Sequence, residues 1–356
     1  MTFDLASLGW DAAFVSAYAP YDRPDHRPAR VARVDRGICT TLGRDGAGRA
    51  SLGGGLLVRA GRDPVELPCT GDWVAVRGWP DERHTIEAVL PRRTRVVRAD
   101  AGEQSFGQAL AANLDVAAVV EPMDPEPDPA RVERLLALAW ESGARPLVIL
   151  TKADRVADPG TVAAQIGDVA PGVEVIVVSA RTRKGLSALA PLVAHGRTLG
   201  LLGPSGAGKS TLVNALAGAT VMATQASRRS DGRGRHTTTY RALIPMPGGG
   251  AVLDTPGVRA VGLYDGAAGL DLVFADIDEL GLGCRFADCG HDGEPGCAIQ
   301  AALAAGQLPV RRYESWLKLR RELAWRSRRQ AARLAAEAKS PRRQAAAGAG
   351  VRRRPR

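Results

Sequence analysis

Eight consecutive residues, Gly203-Pro204-Ser205-Gly206-Ala207-Gly208-Lys209-Ser210, constrain what this chain can fold into more than any other feature. They fit G-x-x-x-x-G-K-[ST] at every fixed position, with Thr211 next in line. The apolar run Leu199–Leu202 precedes them and the amphipathic stretch Lys209–Leu216 follows. Strand, glycine-rich turn and helix in that order form one unit of a parallel sheet, which needs further strand–helix pairs to cover both faces. Glycines let successive backbone N–H groups turn inward around a phosphate chain, and the helix N-terminus adds its dipole. Lys209 would then reach the β- and γ-phosphates, and Ser210 would hold Mg²⁺.

The further pairs are present. Val116–Val120, Pro146–Leu150 and Val173–Val178 read as apolar strands, and Tyr240–Pro245 and Gly250–Leu253 as two more around the Pro247–Gly250 turn. Pro129–Glu141 carries Val132, Leu135, Leu136 and Ala139 at helical spacing, and Thr161–Val169 and Leu186–Val193 are also expected to be helices. Upstream the texture differs. Arg30–Val34, Gly55–Arg59, Asp72–Arg77 and Thr85–Leu90 are short β-prone runs, with turns at Gly43–Gly48 and Gly53–Gly55. Such a region makes a small five-stranded barrel, OB-type or SH3-like. Before it, Pro20, Pro24 and Pro28 lead us to expect irregular structure over 1–28. Downstream of Asp271 helices return, the longest over Arg311–Lys339.

Three fragments complete a nucleotide site. Asp254-Thr255-Pro256-Gly257 ends a strand after the phosphate loop, where Asp254 suits holding Mg²⁺ through its bound water and Gly257 can offer its N–H to a γ-phosphate. Between them, Gly232–Thr239 supplies the hydroxyls of a phosphate-sensing switch, with Thr238 and Thr239 assigned to Mg²⁺ beside Ser210. Thr151-Lys152-Ala153-Asp154 ends the Pro146–Leu150 strand. A carboxylate there accepts both N1–H and N2–H of guanine, a donor pair that adenine lacks, while the stem of Lys152 lies along the base. Ser179-Ala180, ending the next strand, fits the backbone contact to the guanine oxygen. The base fragments precede the phosphate loop, the reverse of their usual order. Sheet geometry rather than chain order makes such a site, so the pocket survives the permutation.

No apolar run approaches the ~20 residues that span a bilayer, and Met1–Trp10 lacks the basic-then-apolar order of a secretory signal. The expected compartment is the cytoplasm, with no membrane partner. In that reducing setting Cys284, Cys289 and Cys297, with His291 among them, suggest metal rather than disulfides. Three thiolates and one imidazole with glycines around them suit one tetrahedral, structural Zn²⁺. Cys39 and Cys69 stand apart and read as small buried hydrophobes. The formal charge of +10 is concentrated: residues 311–356 hold 16 of the 48 Lys/Arg and 3 of the 38 Asp/Glu, leaving the remainder acidic. Only the tail therefore calls for a polyanionic partner.

This arrangement resembles the circularly permuted GTPase family of RsgA (also called YjeQ), the ribosome small-subunit-dependent GTPase A. The resemblance covers about residues 30–330 and rests on Thr151–Asp154, Gly203–Thr211, Gly234–Thr239, Asp254–Gly257 and the cysteine window. It implies a multidomain chain: an OB-type RNA-binding barrel over 29–98, a circularly permuted α/β P-loop GTPase domain over 99–264 and a helical zinc-binding domain over 265–339. An irregular extension over 1–28 and a disordered basic tail over 340–356 would flank them. It further implies GTP hydrolysis in late maturation of the small ribosomal subunit, binding to the subunit and its rRNA in the GTP form, and release on hydrolysis. A monomer is expected. Gly257 is followed by Val258-Arg259-Ala260-Val261, without the glutamine that orients water in Ras-like enzymes, so intrinsic turnover should be slow. His236 is the candidate water-positioning group, with Lys209 the other catalytic residue. Two other readings stand open: a P-loop ATPase or kinase acting on a small molecule, and a non-enzymatic zinc- and RNA-binding regulator.

Overall fold

A computed structural model describes residues 2–61, 63–99, 107–222, 241–254, 262–263 and 267–350. The region expected to be irregular contains a helix, α1 (Ala12–Tyr18). Asp11 caps it by accepting from the amides of Ala13 and Phe14, and the buried Phe14 and Tyr18 lie four residues apart on one face. The three prolines all fall after it, too late to break it. Trp10 and Phe14 pack against Trp73 of the barrel, ring centroids 4.8 and 5.8 Å away. Burying Phe14 contributes roughly 2 kcal/mol, enough to hold so short a helix in place.

The barrel closes through β1 (His26–Asp35), β2 (Ile38–Gly43), β3 (Gly46–Leu52), β4 (Trp73–Gly78) and β5 (His84–Val89). Its order is β1-β2-β3-β5-β4, with β3 and β5 parallel and all other pairs antiparallel. A helix, α2 (Gly54–Ala60), crosses from β3 to β4, and the closed five-stranded barrel is OB-like. α2 corrects the strand expected at Gly55–Arg59. A three-residue apolar run has no periodicity to separate strand from helix; here Leu56 and Ala60 are buried four apart while Leu57 and Val58 are exposed. The turn expected at Gly43–Gly48 is likewise shorter, since β3 already begins at Gly46.

From the barrel the chain enters an antiparallel hairpin, β6 (Arg95–Ala99) and β7 (Gly107–Ala112), and then the main sheet. The seam between barrel and sheet is closed by Arg30, 1% exposed, whose guanidinium donates to the carbonyls of Gly71 (3.2 Å), Asn113 (2.9 Å) and Leu8. Three acceptors around one buried cation replace the water it has lost.

The main sheet is built from β8 (Val116–Pro122), β9 (Arg145–Thr151), β10 (Val175–Val177), β11 (Thr198–Leu202), β12 (Ala242–Pro245) and β13 (Ala251–Asp254). Their order is β10-β9-β8-β11-β13-β12, parallel throughout except for the edge pair β12–β13. β8, β11 and β13 are buried at every position, as strands covered on both faces must be. The covering helices are α3 (Pro129–Glu141), α4 (Pro159–Asp168), α5 (Leu186–Leu189) and α6 (Lys209–Ala217). Successive strands leave in opposite directions from the β8–β11 pair, which opens a crevice at their carboxyl ends.

Beyond the sheet come β14 (Gly262–Leu263), paired with β6, and the helices α7 (Ala267–Val273), α8 (Ala275–Gly281), α9 (Ala298–Ala304) and α10 (Val310–Gly350). α7 lies so close on α3 that a Cβ at Gly269 would sit 2.3 Å from the Ala137 carbonyl oxygen. α10 is latched to α3 by Glu133, whose side chain is fully buried and accepts from Arg311 (2.9 Å) and Arg312 (3.0 Å). Arg312 also pairs with Asp276 of α8 at 2.7 Å. Breaking such a buried network from one side costs roughly 3–5 kcal/mol. The α10 backbone is helical to Gly350, past Ser340 where the expected tail begins, and alanine-rich low complexity is also helix-forming. Residues 351–356 lie outside the described residues. Among those described, no helix is long and apolar enough to cross a membrane.

Candidate functional site

The phosphate loop leaves β11 at the crevice. Gly203 cannot carry a side chain, because a Cβ there would meet the Val120 carbonyl oxygen at 2.3 Å. Gly208, at φ +91°, supplies the left-handed turn into α6. Lys209 is 6% exposed, and its Nζ donates to the carbonyls of Gly203 (2.7 Å) and Pro204 (2.8 Å). Pro204, Ser205 and Ser210 are half-buried, Ala207 is buried, and Gly206 and Thr211 are exposed.

On the neighbouring strand, Asp254 ends β13 at 1% exposure, and its Oδ1 has no hydrogen-bond partner among the described residues. Burial raises its carboxyl above the usual range, with Lys209 pulling the other way. A buried, unpaired carboxylate oxygen beside the phosphate loop is the environment a hard cation satisfies. Asp254 therefore fits the Mg²⁺ that the sequence implies, with Ser210 in the first turn of α6, the helix that follows the neighbouring strand β11. The other two residues assigned to that ion, Thr238 and Thr239, lie outside the described residues, as do His236 and Gly257.

The base fragments meet this loop. Thr151, at the end of β9, donates its hydroxyl to the Ala207 carbonyl of the phosphate loop, which ties the two motifs together although 56 residues separate them. Lys152 adopts a left-handed φ of +60°, and its ammonium donates to the Asp124 carbonyl at 2.9 Å. That turn lets Ala153 donate to the Val178 carbonyl of the next strand end. Asp154 then accepts from the Ser179 hydroxyl at 2.6 Å, and Arg181 lies 3.6 Å from its other oxygen. The Ser179 bond, foremost, holds the Asp154 carboxyl below its ordinary value. Ser179 itself accepts from the Thr182 amide (3.1 Å), and Ala180 follows, half-buried. The two base fragments and the phosphate loop thus form one continuous rim.

Sequence reasoning missed Glu121. It is the penultimate residue of β8, its side chain is fully buried, and its two oxygens accept from Nε and Nη2 of Arg131 on α3, at 2.6 and 2.7 Å. Burial raises its carboxyl and Arg131 opposes that shift. Its carbonyl accepts from the Thr151 hydroxyl at 3.4 Å, and Lys209 of the phosphate loop acts on its carboxylate electrostatically. A single glutamate at the end of an apolar strand carries no motif, so only the fold reveals it.

The cysteine window also converges. The donor atoms of Cys284, Cys289, His291 and Cys297 lie within 4.8 Å of one another. Cys284 Sγ is 3.5 Å from His291 Nδ1 and 3.9 Å from Cys297 Sγ, and Cys297 Sγ is 3.6 Å from that nitrogen. Ligands about 2.3 Å from a tetrahedral Zn²⁺ stand about 3.8 Å apart, close to the three spacings among Cys284, His291 and Cys297, so the set fits that ion. The surroundings support it: the His291 carbonyl accepts from Gln300 of α9 (2.6 Å) and Tyr313 of α10 (2.7 Å), and Trp316 packs on the His291 ring. The cluster therefore braces the start of the basic helix. Cys39 and Cys69, as expected, are buried and apart from it.

Residues 89–264 match the family model described as RsgA GTPase. A Streptomyces coelicolor protein named small ribosomal subunit biogenesis GTPase RsgA is 52% identical over 321 residues, which span 89% of this chain and 86% of the relative. In fold, the chain resembles the crystal structure of YjeQ from Thermotoga maritima, with a TM-score of 0.58 at 23% identity over 84% of this chain and 99% of that one. YloQ, described as a circularly permuted GTPase, follows with a TM-score of 0.54 at 22% identity, covering 85% and 96%. With half of its residues identical to a relative across nearly nine-tenths of its length, the chain belongs to the RsgA GTPase family.

Proposed function

We propose that this protein hydrolyses GTP during late maturation of the small ribosomal subunit, binding the subunit in its GTP form and leaving it after hydrolysis. The observation that supports the reading is the tie between Thr151 and Ala207, which sets the fragment carrying Asp154 beside the phosphate loop. It disfavours an ATPase or kinase, because adenine has no donor pair for Asp154. The names carried by the relatives, small ribosomal subunit biogenesis GTPases, support the biological setting.

In this reading Asp154 selects guanine, Lys152 lies along the base, and Ser179 and Ala180 frame its oxygen. Gly203–Thr211 wraps the phosphates, with Lys209 stabilising charge on the transferred group. Mg²⁺, held through Ser210, Thr238 and Thr239 with Asp254 behind, would neutralise the phosphate oxygens. His236 orients the attacking water, and Gly257 reports the γ-phosphate. Residues 29–98 and the basic helix grip rRNA, largely through its phosphates. A structural Zn²⁺ on Cys284, Cys289, His291 and Cys297 fixes 265–339. The protein works as a cytoplasmic monomer.

The test is phosphate release by the full-length chain with and without purified small ribosomal subunits. Slow turnover alone, accelerated by subunits and insensitive to equimolar ATP, is expected; no acceleration, or displacement of GTP by ATP, would overturn the proposal. Chelation should melt the C-terminal helices, seen as lost ellipticity, while guanine nucleotide still binds.

A further inference from the structure

A charged cleft distinct from the proposed nucleotide site lies where the barrel meets the β6–β7 hairpin. Its cavity volume is about 610 Å³, and its walls carry Arg33, Arg36 and Arg49 from β1–β3 and Arg241 from the residue preceding β12. The one carboxylate in the lining, Asp35, is already taken by Arg33 at 2.7 Å. Among the described residues the guanidinium groups of Arg36, Arg49 and Arg241 have no ion-pair or hydrogen-bond partner. Arg241 is half-buried, and both burial and the nearby Arg98 work against its charge. A cation so placed is stabilised by an anion brought to it. Arg36 and Arg49 are exposed at the mouth of the cleft, and three guanidinium groups on separate elements suit a run of phosphates better than a single small anion. Val34 and Ile38, 39% and 38% exposed at the same hairpin, offer apolar surface for sugar rings.

Arg241 also has a short mechanical path to the nucleotide site. Its neighbour Ala242 opens β12 and pairs in register with Asp254. β12 in turn runs alongside β1 of the barrel. One peptide bond and one rung of the ladder therefore separate the cleft from the buried carboxylate at the phosphate end.

We infer that this cleft seats phosphodiester groups of RNA, and that Arg241 is a positioning residue that transmits occupancy of the cleft to Asp254. The inference rests on the proposed subunit-dependent GTPase reading and adds a site and a route to it. By linkage, if RNA in the cleft favours the GTP form of the nucleotide site, GTP must tighten the grip on RNA by the same factor.

The experiment uses the full-length chain and purified small ribosomal subunits. Affinity is measured over a range of salt with GDP and with a non-hydrolysable GTP analogue, alongside phosphate release. The double variant Arg36→Gln, Arg49→Gln should bind roughly tenfold or more weakly in both nucleotide states. Its slope of log affinity against log salt should flatten by about 0.7 to 0.9 for each lost contact. Arg241→Gln should keep basal turnover and thermal midpoint but lose most of the GTP-over-GDP preference for subunits and most of their stimulation, and Arg241→Lys should restore part of both. An unchanged salt slope in the double variant overturns the RNA seat, whether or not affinity falls, since loss without a slope change assigns the cleft to protein. Full stimulation and preference in Arg241→Gln overturn the route. A wild-type protein that neither binds nor responds to subunits overturns the parent reading instead.

Discussion

The two ends of the proposed nucleotide site are built on opposite electrostatic principles. At the base end, Asp154 stands at the rim with Ser179 donating to it and Arg181 nearby, and its carboxyl lies below the ordinary range. At the phosphate end, Asp254 is buried with one oxygen unpartnered and its carboxyl lies above that range. The base end is a finished template that stays ionised without help. The phosphate end holds desolvated charge whose stabilisation must come from what binds there. In the proposed reading recognition and chemistry are thereby divided: guanine would meet a surface already set, whereas the phosphates and their cation would complete an unfavourable arrangement.

The sharpest way to break this contrast is at Lys209. Lys209→Ala should lower turnover on the order of 10²–10³-fold while leaving guanine over adenine preference intact, measured by phosphate release and nucleotide competition. Loss of base preference in that variant would show that the two ends are not separable. Asp254→Asn should act on turnover nearly as strongly, and on stability with the opposite sign. Folding raises the Asp254 pKa, so the folded chain binds its proton at higher pH than the unfolded chain does. Its ionised form therefore works against folding near neutrality, and the penalty fades as pH falls through the folded value. Removing the charge should stabilise the nucleotide-free protein by about 1 kcal/mol, or roughly 2–4 °C in Tm. A lowered Tm would mean that the carboxylate is already satisfied.

Asp154→Asn sharpens the other side. It leaves one neutral acceptor and sets an amide NH₂ against a guanine N–H, and GTP affinity should fall about 100-fold. The asparagine amide can donate, so xanthosine triphosphate, with an oxygen in place of the 2-amino group, should regain much of that loss. Affinities from nucleotide titration decide it; equal losses for both bases would place Asp154 outside the base contact.

How much of this was legible in the sequence depended on whether local chemistry or tertiary burial decides the feature. Val116–Val120 and Pro129–Glu141 were readable because their apolar spacing leaves one solution, and the phosphate loop because backbone sterics demand its glycines. The cysteine window was readable because metal ligands need particular atoms close together. α2 was not, since Leu56-Leu57-Val58 suits either structure until its partner is known. α1 carried a signal in Asp11 and the Phe14–Tyr18 spacing, outweighed by the prolines after it. Buried charges escaped altogether: Arg30, Glu121 and Glu133 look like surface residues in sequence, and only their distant partners make burial tolerable. Thr151 shows the limit most clearly. Its place in the base motif was evident, whereas its grip on Ala207 needed the fold.

The smallest effect tests whether the base end owes its readiness to one hydrogen bond. Ser179→Ala removes the 2.6 Å contact to Asp154 and little else, because the Thr182 amide is the only other partner the hydroxyl has among the described residues. A single such bond is worth about 1 kcal/mol, so GTP affinity at neutral pH should fall roughly fivefold. The pH dependence is more telling. The Ser179 bond is the foremost reason the Asp154 carboxyl is depressed. In the wild type, guanine affinity should therefore hold on acidification until below the ordinary carboxylate range, and in Ser179→Ala its decline should begin nearer to that range, about pH 4. Asp254 titrates at higher pH in both proteins, so the comparison is made with guanosine, which lacks phosphates and isolates the base end. If Ser179→Ala binds guanosine with wild-type affinity throughout, the template is set by the β9 and β10 backbones alone, and the contrast between the two ends loses its cause.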